Sequence, residues 1–308
     1  MPNVKNRDYT IRNYTKEDAE KIGSFDNVLV LSYMYNGDFN PENIFCAVNA
    51  EGDIYGVGHL EPHDTWALIS KECMPSDFIY KLWLSISINT ELEPLESVED
   101  ELIETLLMRA VELKKSHPHK RIRVIKFIAS DAIEEIDYYL TKGFAANSNN
   151  LVMKRDLTVE IPDAPKIDGV DVINWKMETE DEKKQYLAAE AKSNSGVCWS
   201  LNLLTWYSFS PEWAAFTAFS DDKVIGSAMT WMITDERNST ENIFVIPEWR
   251  KKGVARLVIT EVLKYLKNKG KKMATLCVFG DNKSAIALYK SLGYTLYFIN
   301  IEFGFDLW

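Results

Sequence analysis

Apolar and polar positions along the chain fall into two rhythms, and the stretches that carry them occur twice in the same order. Alternating runs such as "FCAVNAEGDIYGVGHL" from Phe45 and "FTAFSDDKVIGSAMTW" from Phe216 read as two strands joined by a polar turn. A short strand and an acid-capped helix precede each: "YTIRNYTKEDAEKI" from Tyr9, and "VDVINWKMETEDEKKQYL" from Val170. Further on, Asn242 to Ile246 is β-branched and aromatic, and Val254, Leu257, Val258, Val262, Tyr265 and Leu266 recur at helical spacing. The pattern predicts an α/β chain built from two similar halves.

The seam between the halves is "TVEIPDAPKIDG", Thr158 to Gly169, where two prolines and several acids interrupt any regular element. It sets a first domain at 1–157, a linker at 158–169 and a second domain at 170–308. Toward the end of each half the register is constant at 150 residues: Asp131 answers Asp281, Tyr139 answers Tyr289, Gly143 answers Gly293, and Phe144 answers Tyr294. Extended backward, that register sets Asp100 to Thr105 against Arg250 to Ala255. The charge inverts, since Glu91 to Glu104 holds seven acids and no base.

Between the apolar strand and the amphipathic helix of the second half lie Arg250, Lys251, Lys252, Gly253 and Arg256. Such a turn offers unpaired backbone N–H groups, a helix N-terminus and positive charge together, which suits an anion such as phosphate. The chain carries a formal −11, yet Arg250 to Lys272 holds nine basic residues against the single acid Glu261. Cations at a helix start oppose the helix dipole, so local stability does not account for them. A solvated face or a docking patch for a polyanion would look similar.

The whole-chain numbers narrow the field. With 308 residues and 46% hydrophobic content there is enough chain for two domains with their own cores. No long apolar run and no basic-then-apolar start occur, so a cytoplasmic protein without a membrane partner is expected. Cys46, Cys73, Cys198 and Cys277 are scattered, which fits small core residues in a reducing compartment. The histidines at 59, 63, 117 and 119 lack a nearby cysteine, so no metal site is expected. A pI near 5.0 without a long basic tract argues against a nucleic-acid partner.

The second half resembles the GCN5-related N-acetyltransferases (GNAT). Their acetyl-CoA signature is Gln or Arg, two residues, Gly, one residue, then Gly or Ala. Arg250-Lys251-Lys252-Gly253-Val254-Ala255 meets it, and Asn282 with Tyr289 seven residues later meets a second family feature. The resemblance covers Gly169 to Trp308. Residues Met1 to Leu157 look like a degenerate copy that lacks the phosphate loop, has Ala132 where Asn282 stands, and keeps Tyr139.

The resemblance implies two tandem domains, each with a mixed, largely antiparallel central sheet flanked by helices. It implies acetyl-CoA as acyl donor, its pyrophosphate on backbone N–H groups between Lys251 and Arg256, including Val254 and Ala255. The pantetheine arm would lie along Phe244, Val245 and Ile246, with Asn282 placing it. An amine of a small molecule or peptide would attack the thioester directly. Tyr289 is then the acid for the departing thiolate, the Val245 N–H the oxyanion donor, and Glu241 the candidate base. Other roles fit the same residues: a packed tyrosine, a bare helix cap at Asn282, an exposed strand-end glutamate. Trp199, Trp206, Tyr207 and Trp213 match the region that walls the acceptor site. A non-catalytic acetyl-CoA sensor or scaffold is the alternative, and neither acceptor nor oligomeric state can be read from the sequence.

Overall fold

The computed structural model describes residues 9–93 and 97–308. By compactness the chain divides into Met1–Lys126 with Gly304–Trp308, and Phe127–Phe303. The first unit begins with β1 (Tyr9–Asn13), α1 (Ala19–Phe25) and α2 (Asn27–Tyr35). Before α1 the Asp18 carboxylate takes the Thr15 N–H at 2.8 Å and both arms of the Arg12 guanidinium at 2.7 Å, which fixes the strand-to-helix corner. The expected hairpin follows as β2 (Ile44–Asn49) and β3 (Ile54–Pro62), then β4 (Ile79–Ile88), α3 (Val98–Ser116) and β5 (Arg121–Ala129). Strands β1 to β4 pair antiparallel in chain order, and β4 pairs parallel with β5 over Ile79 to Trp83. Helix α3 buries Leu102, Ile103 and Leu106 as it packs on β2, β3 and β4. Residues Gly304–Trp308 join this unit: the Asp306 carboxylate takes the Arg123 guanidinium, and the Arg121 guanidinium lies 4.0 Å over the centroid of the Trp308 ring.

The second unit holds α4 (Ile133–Thr141), β6 (Ala145–Asp156), β7 (Asp171–Asn174), α5 (Glu180–Ser193) and α6 (Leu201–Ser208). These are followed by the second hairpin, β8 (Ala214–Ser220) and β9 (Lys223–Thr234), and by β10 (Arg237–Val245), α7 (Val254–Asn268), β11 (Met273–Phe279), α8 (Lys283–Ser291) and β12 (Thr295–Leu307), whose residues from Gly304 onward count with the first unit. Strands β7 to β10 pair antiparallel, β10 pairs parallel with β11, and β11 pairs antiparallel with β6 from Met273↔Asp156 to Phe279↔Asn150. The fold is thus mixed α/β, with mixed sheets flanked by helices.

Two sequence expectations change. The register of 150 holds at the late elements: Tyr139 on α4 and Tyr289 on α8 are both buried, and Gly143 and Gly293 both sit at φ 86°. It fails earlier, because α3 starts at Val98 and α7 at Val254, six positions out of step. Asp100 to Thr105 therefore lies inside α3, and the true counterparts of Arg250 to Gly253 are residues 94–97, of which 94–96 (and with them Glu96) lie outside the described residues. The acidity survives the shift, since Glu99, Asp100 and Glu101 occupy the first turn of α3. Among the cysteines only Cys46 is buried; Cys73 and Cys277 are exposed rather than core residues. No helix of the described residues is long and apolar enough to cross a membrane.

Candidate active site

Strand β10 is where the sheet of the second unit opens. It pairs with β11 only over Arg237 to Ser239, after which β11 continues against β6 alone. On its other side the ladder to β9 slips between Glu241↔Met229 and Phe244↔Ser227, and Asn242 in the slip takes φ 46°. A bulge of this kind bends its strand and re-aims side chains. After it the Ile246 N–H donates to the Ile225 carbonyl at 3.0 Å, so the Val245 N–H and C=O, which alternate with those of Ile246, face away from β9 into the opening.

The opening ends at the start of α7. Gly253 is the N-cap at φ 93°, a left-handed conformation that glycine adopts without steric cost. It has no side chain to cap the helix, and the first intrahelical bond is Leu257 N–H to Gly253 C=O. The N–H groups of Val254, Ala255 and Arg256 precede that bond and point out of the helix end. Gly226 on β9 lets the helix come this close: a Cβ there would lie 2.9 Å from both Val254 Cγ1 and the Phe244 carbonyl. The next residue, Ser227, faces the opposite side of the sheet, where Tyr186 of α5 packs on Phe244 with ring centroids 5.2 Å apart.

A cleft of about 630 Å³ runs along this opening. Of the residues singled out in the sequence it gathers Phe244, Val245, Arg250, Lys251, Gly253, Val254, Ala255, Arg256, Asn282 and Tyr289. Ile246 is buried behind it and Lys252 lies off it, with its ammonium 4.8 Å from the Trp249 ring. The Asn282 carboxamide oxygen accepts the Ala285 N–H at 3.1 Å, so it caps α8 while lining the cleft. Ser193 and Asn194, at the end of α5, complete the wall and carry no motif by which the sequence could have flagged them. The basic run itself disperses. Lys264 pairs with Asp163, Lys271 with Glu212 and Lys272 with Glu236, and Lys267 donates to the carbonyls of Thr158 and Val159.

Glu241 stands on β10 just past the last β10–β11 pair. Ser239 Oγ donates to its carboxylate at 2.5 Å, but burial outweighs that bond and pushes its pKa up to about 7. Tyr289 is buried and pushed up to about 12, first by burial and then by the charge of Glu241, so its phenol holds its proton at neutral pH. On the same face, Trp231 opposite Ser239 packs on Tyr207 at 4.6 Å, and Trp199 stacks on Tyr207 at 4.9 Å. Trp206 is half-buried and Trp213 is buried.

Residues 174–294 match the acetyltransferase (GNAT) family. The [ribosomal protein bS18]-alanine N-acetyltransferase of Salmonella typhimurium is 33% identical over 75 residues, which is 24% of this chain and 50% of that one. An uncharacterized N-acetyltransferase of Methanocaldococcus jannaschii is 38% identical over 52 residues, 17% of this chain and 23% of that one. The chain thus matches half the length, or less, of these curated relatives. Among solved structures, a GCN5-related N-acetyltransferase from Sphaerobacter thermophilus is similar with a TM-score of 0.61 at 12% identity, over 97% of this chain and 95% of that one. A tandem GNAT protein from the clavulanic acid biosynthesis pathway is similar with a TM-score of 0.61 at 12% identity, over 97% and 98%. Residues 174–294, which hold the open strand and the glycine-capped helix, are thus the part of the chain that matches the GNAT family, and the solved structures share its fold.

Proposed function

We propose that the protein is an acetyl-CoA-dependent N-acetyltransferase that acts on an amine of a small molecule or peptide. The divergence of β10 from β11, leading to an uncapped helix N-terminus, is the observation that carries this proposal. An anion is suited to the N–H groups of Val254, Ala255 and Arg256 with Lys251 beside them, and an amide-bearing arm is suited to the edge of β10 that β11 leaves unpaired. The cofactor half is taken as 170–308, and 1–157 as a copy whose acidic α3 start repels phosphate.

Acetyl-CoA supplies the acetyl group as a thioester. Glu241, with a pKa of about 7, takes a proton from the acceptor's ammonium, directly or through an intervening water, and leaves the neutral amine that attacks. The Val245 N–H stabilises the carbonyl oxygen as charge builds on it. Tyr289, still protonated, gives its proton to the leaving sulfur and takes up the second proton that the amide nitrogen sheds.

The test is equilibrium binding of acetyl-CoA followed by CoA release with polyamines, aminoglycosides, amino acids and peptide N-termini. One acetyl-CoA per chain, with amine-dependent release lost in Tyr289→Phe, is expected. Binding with no release across the panel would make the protein a sensor. No saturable binding would remove the proposal.

A further inference from the structure

Arg250 opens the basic turn, yet its guanidinium is committed to two main-chain carbonyls from different elements. Nε donates to the Val245 carbonyl at 3.2 Å, and Nη2 donates to the Ser193 carbonyl at 2.6 Å. Val245 ends β10 on its open edge, and Ser193 is the buried last residue of α5. One planar cation therefore ties one wall of the cleft to the other, with charge-assisted bonds at both ends.

The last turn of α5 reaches further. Its buried Glu190 accepts the Trp199 N–H at 3.3 Å on Oε2. Between them the chain reverses through Ser195 at φ 55° and Gly196 at φ 94°, held by Asn194 N–H to Glu190 C=O (3.0 Å), Gly196 N–H to Ala191 C=O (2.8 Å) and Val197 N–H to Asn194 C=O (3.1 Å). Trp199 then begins the stack with Tyr207 and Trp231. An unbroken series of contacts leads from the basic turn through Arg250 and the end of α5 to the aromatic face beside Glu241. Lys192 and Glu248 join the same two segments at 2.8 Å, but both side chains are more than half exposed and contribute little.

We propose that Arg250 is a positioning residue that couples the anion-binding turn to the aromatic wall, so that occupation of the cleft orders the Asn194–Trp199 joint. The coupling rests on the acetyl-CoA reading of the cleft; the bracket itself does not. Lysine keeps the charge but replaces the planar fork, whose Nε and Nη2 each meet one carbonyl along a fixed direction, with a single rotatable ammonium, so Arg250→Lys weakens the geometry while retaining the attraction.

The experiment is amide hydrogen exchange on the full chain, with and without coenzyme A, for wild type, Arg250→Lys and Arg256→Lys. The amides followed are those of Asn194, Gly196, Val197 and Trp199. Without ligand, Arg250→Lys should exchange there at least about fivefold faster than wild type, with the α7 amides unchanged. Coenzyme A should slow these amides by about fivefold in wild type and Arg256→Lys, whose guanidinium bonds Ser291 Oγ instead, but not in Arg250→Lys bound to the same saturation. Equal rates without ligand, or the slowing retained in Arg250→Lys, would overturn the proposal. Wild type that fails to bind coenzyme A would remove the reading of the cleft and the coupling with it, while the ligand-free rates still decide the bracket. Should Arg250→Lys not fold, Arg250→Gln is read in the same way.

Discussion

Two helices begin at comparable places, each after a strand that pairs parallel to the one following the helix, and they begin differently. In the first unit α3 starts behind Ser97, whose hydroxyl is spent on Tyr9 Oη at 2.7 Å, and carries Glu99, Asp100 and Glu101 in its first turn. In the second, α7 starts behind a left-handed glycine with no acid in its first turn. Acids complement the positive end of the helix dipole, so α3 satisfies its own terminus. Helix α7 leaves that field unanswered, and its cations add to it. The strands differ in the same sense: β3 and β4 stay in register from Gly56↔Ile88 to Pro62↔Leu82, whereas β9 and β10 slip at Glu241. A binding site is here a place where local self-satisfaction has been given up.

Exchanging the termini tests this most severely. Ala255→Glu with Arg256→Asp gives α7 two of the three first-turn acids of α3 and changes the local charge by −3. Acetyl-CoA affinity should fall by about a thousandfold, roughly 4 kcal/mol, if the pyrophosphate sits at this end. Stability should hold or rise by about 0.3–1 kcal/mol per added acid. Calorimetric binding and thermal unfolding on the same sample check both, and a double variant that binds normally would break the comparison.

The bulged strand is tested next. Glu241→Gln should lower kcat/KM by about a hundredfold and remove the acidic limb of the wild-type pH profile near pH 7. Stability gives an independent sign. Because burial raises the carboxyl above its ordinary value of 4.5, the folded state favours the protonated form. That contribution is complete below the unfolded pKa and is lost as pH rises to about 7. Wild type should therefore lose stability relative to Glu241→Gln between those limits and run parallel to it above them. Denaturant titrations across the range would show it.

A smaller effect is expected at the glycine itself. A Cβ on Gly253 would meet only Ile167 Cδ1 at 3.7 Å, an ordinary contact, so the penalty of Gly253→Ala comes from φ 93° and not from crowding. It should cost about 1–2 kcal/mol, divided between a lower Tm and an acetyl-CoA affinity weaker by several-fold. Unchanged Tm and affinity together would mean that the left-handed cap is incidental.

Much of this was legible beforehand because it rests on local rules. Alternation marked both hairpins, the stripe from Val254 to Leu266 marked α7, and the charged turn around Gly253 marked the cleft. What the sequence withheld depends on distant partners. Nothing in "AANSNNLVMKRD" tells that β6 pairs with β11. Ser193 enters the site through a carbonyl, which every residue has. The basic run is one island only along the sequence, because Lys264, Lys271 and Lys272 each meet an acid far along the chain. Glu241 was visible as a carboxylate, but its raised pKa depends on packing around a bulge that no motif announces.

The smallest effect is expected from the reverse exchange. If acidity alone disqualified the first unit, Glu99→Gln with Asp100→Asn and Glu101→Gln would create a second cofactor site, and binding would rise to two per chain. It should stay at one. Removing three acids abolishes repulsion but supplies neither the glycine nor the slipped strand; Ser97 would still be in place, with its hydroxyl on Tyr9. The first turn would also lose the charges that complement its dipole, so Tm should drop by the equivalent of about 1–2 kcal/mol in total at low ionic strength, and less in salt. A stoichiometry of two at comparable affinity would show that charge is the whole difference between the halves. A stoichiometry of one with a salt-dependent fall in Tm would show that the acids of α3 now serve the helix they stand on, and that an anion site needs the glycine and the slipped strand as well as the absence of repulsion.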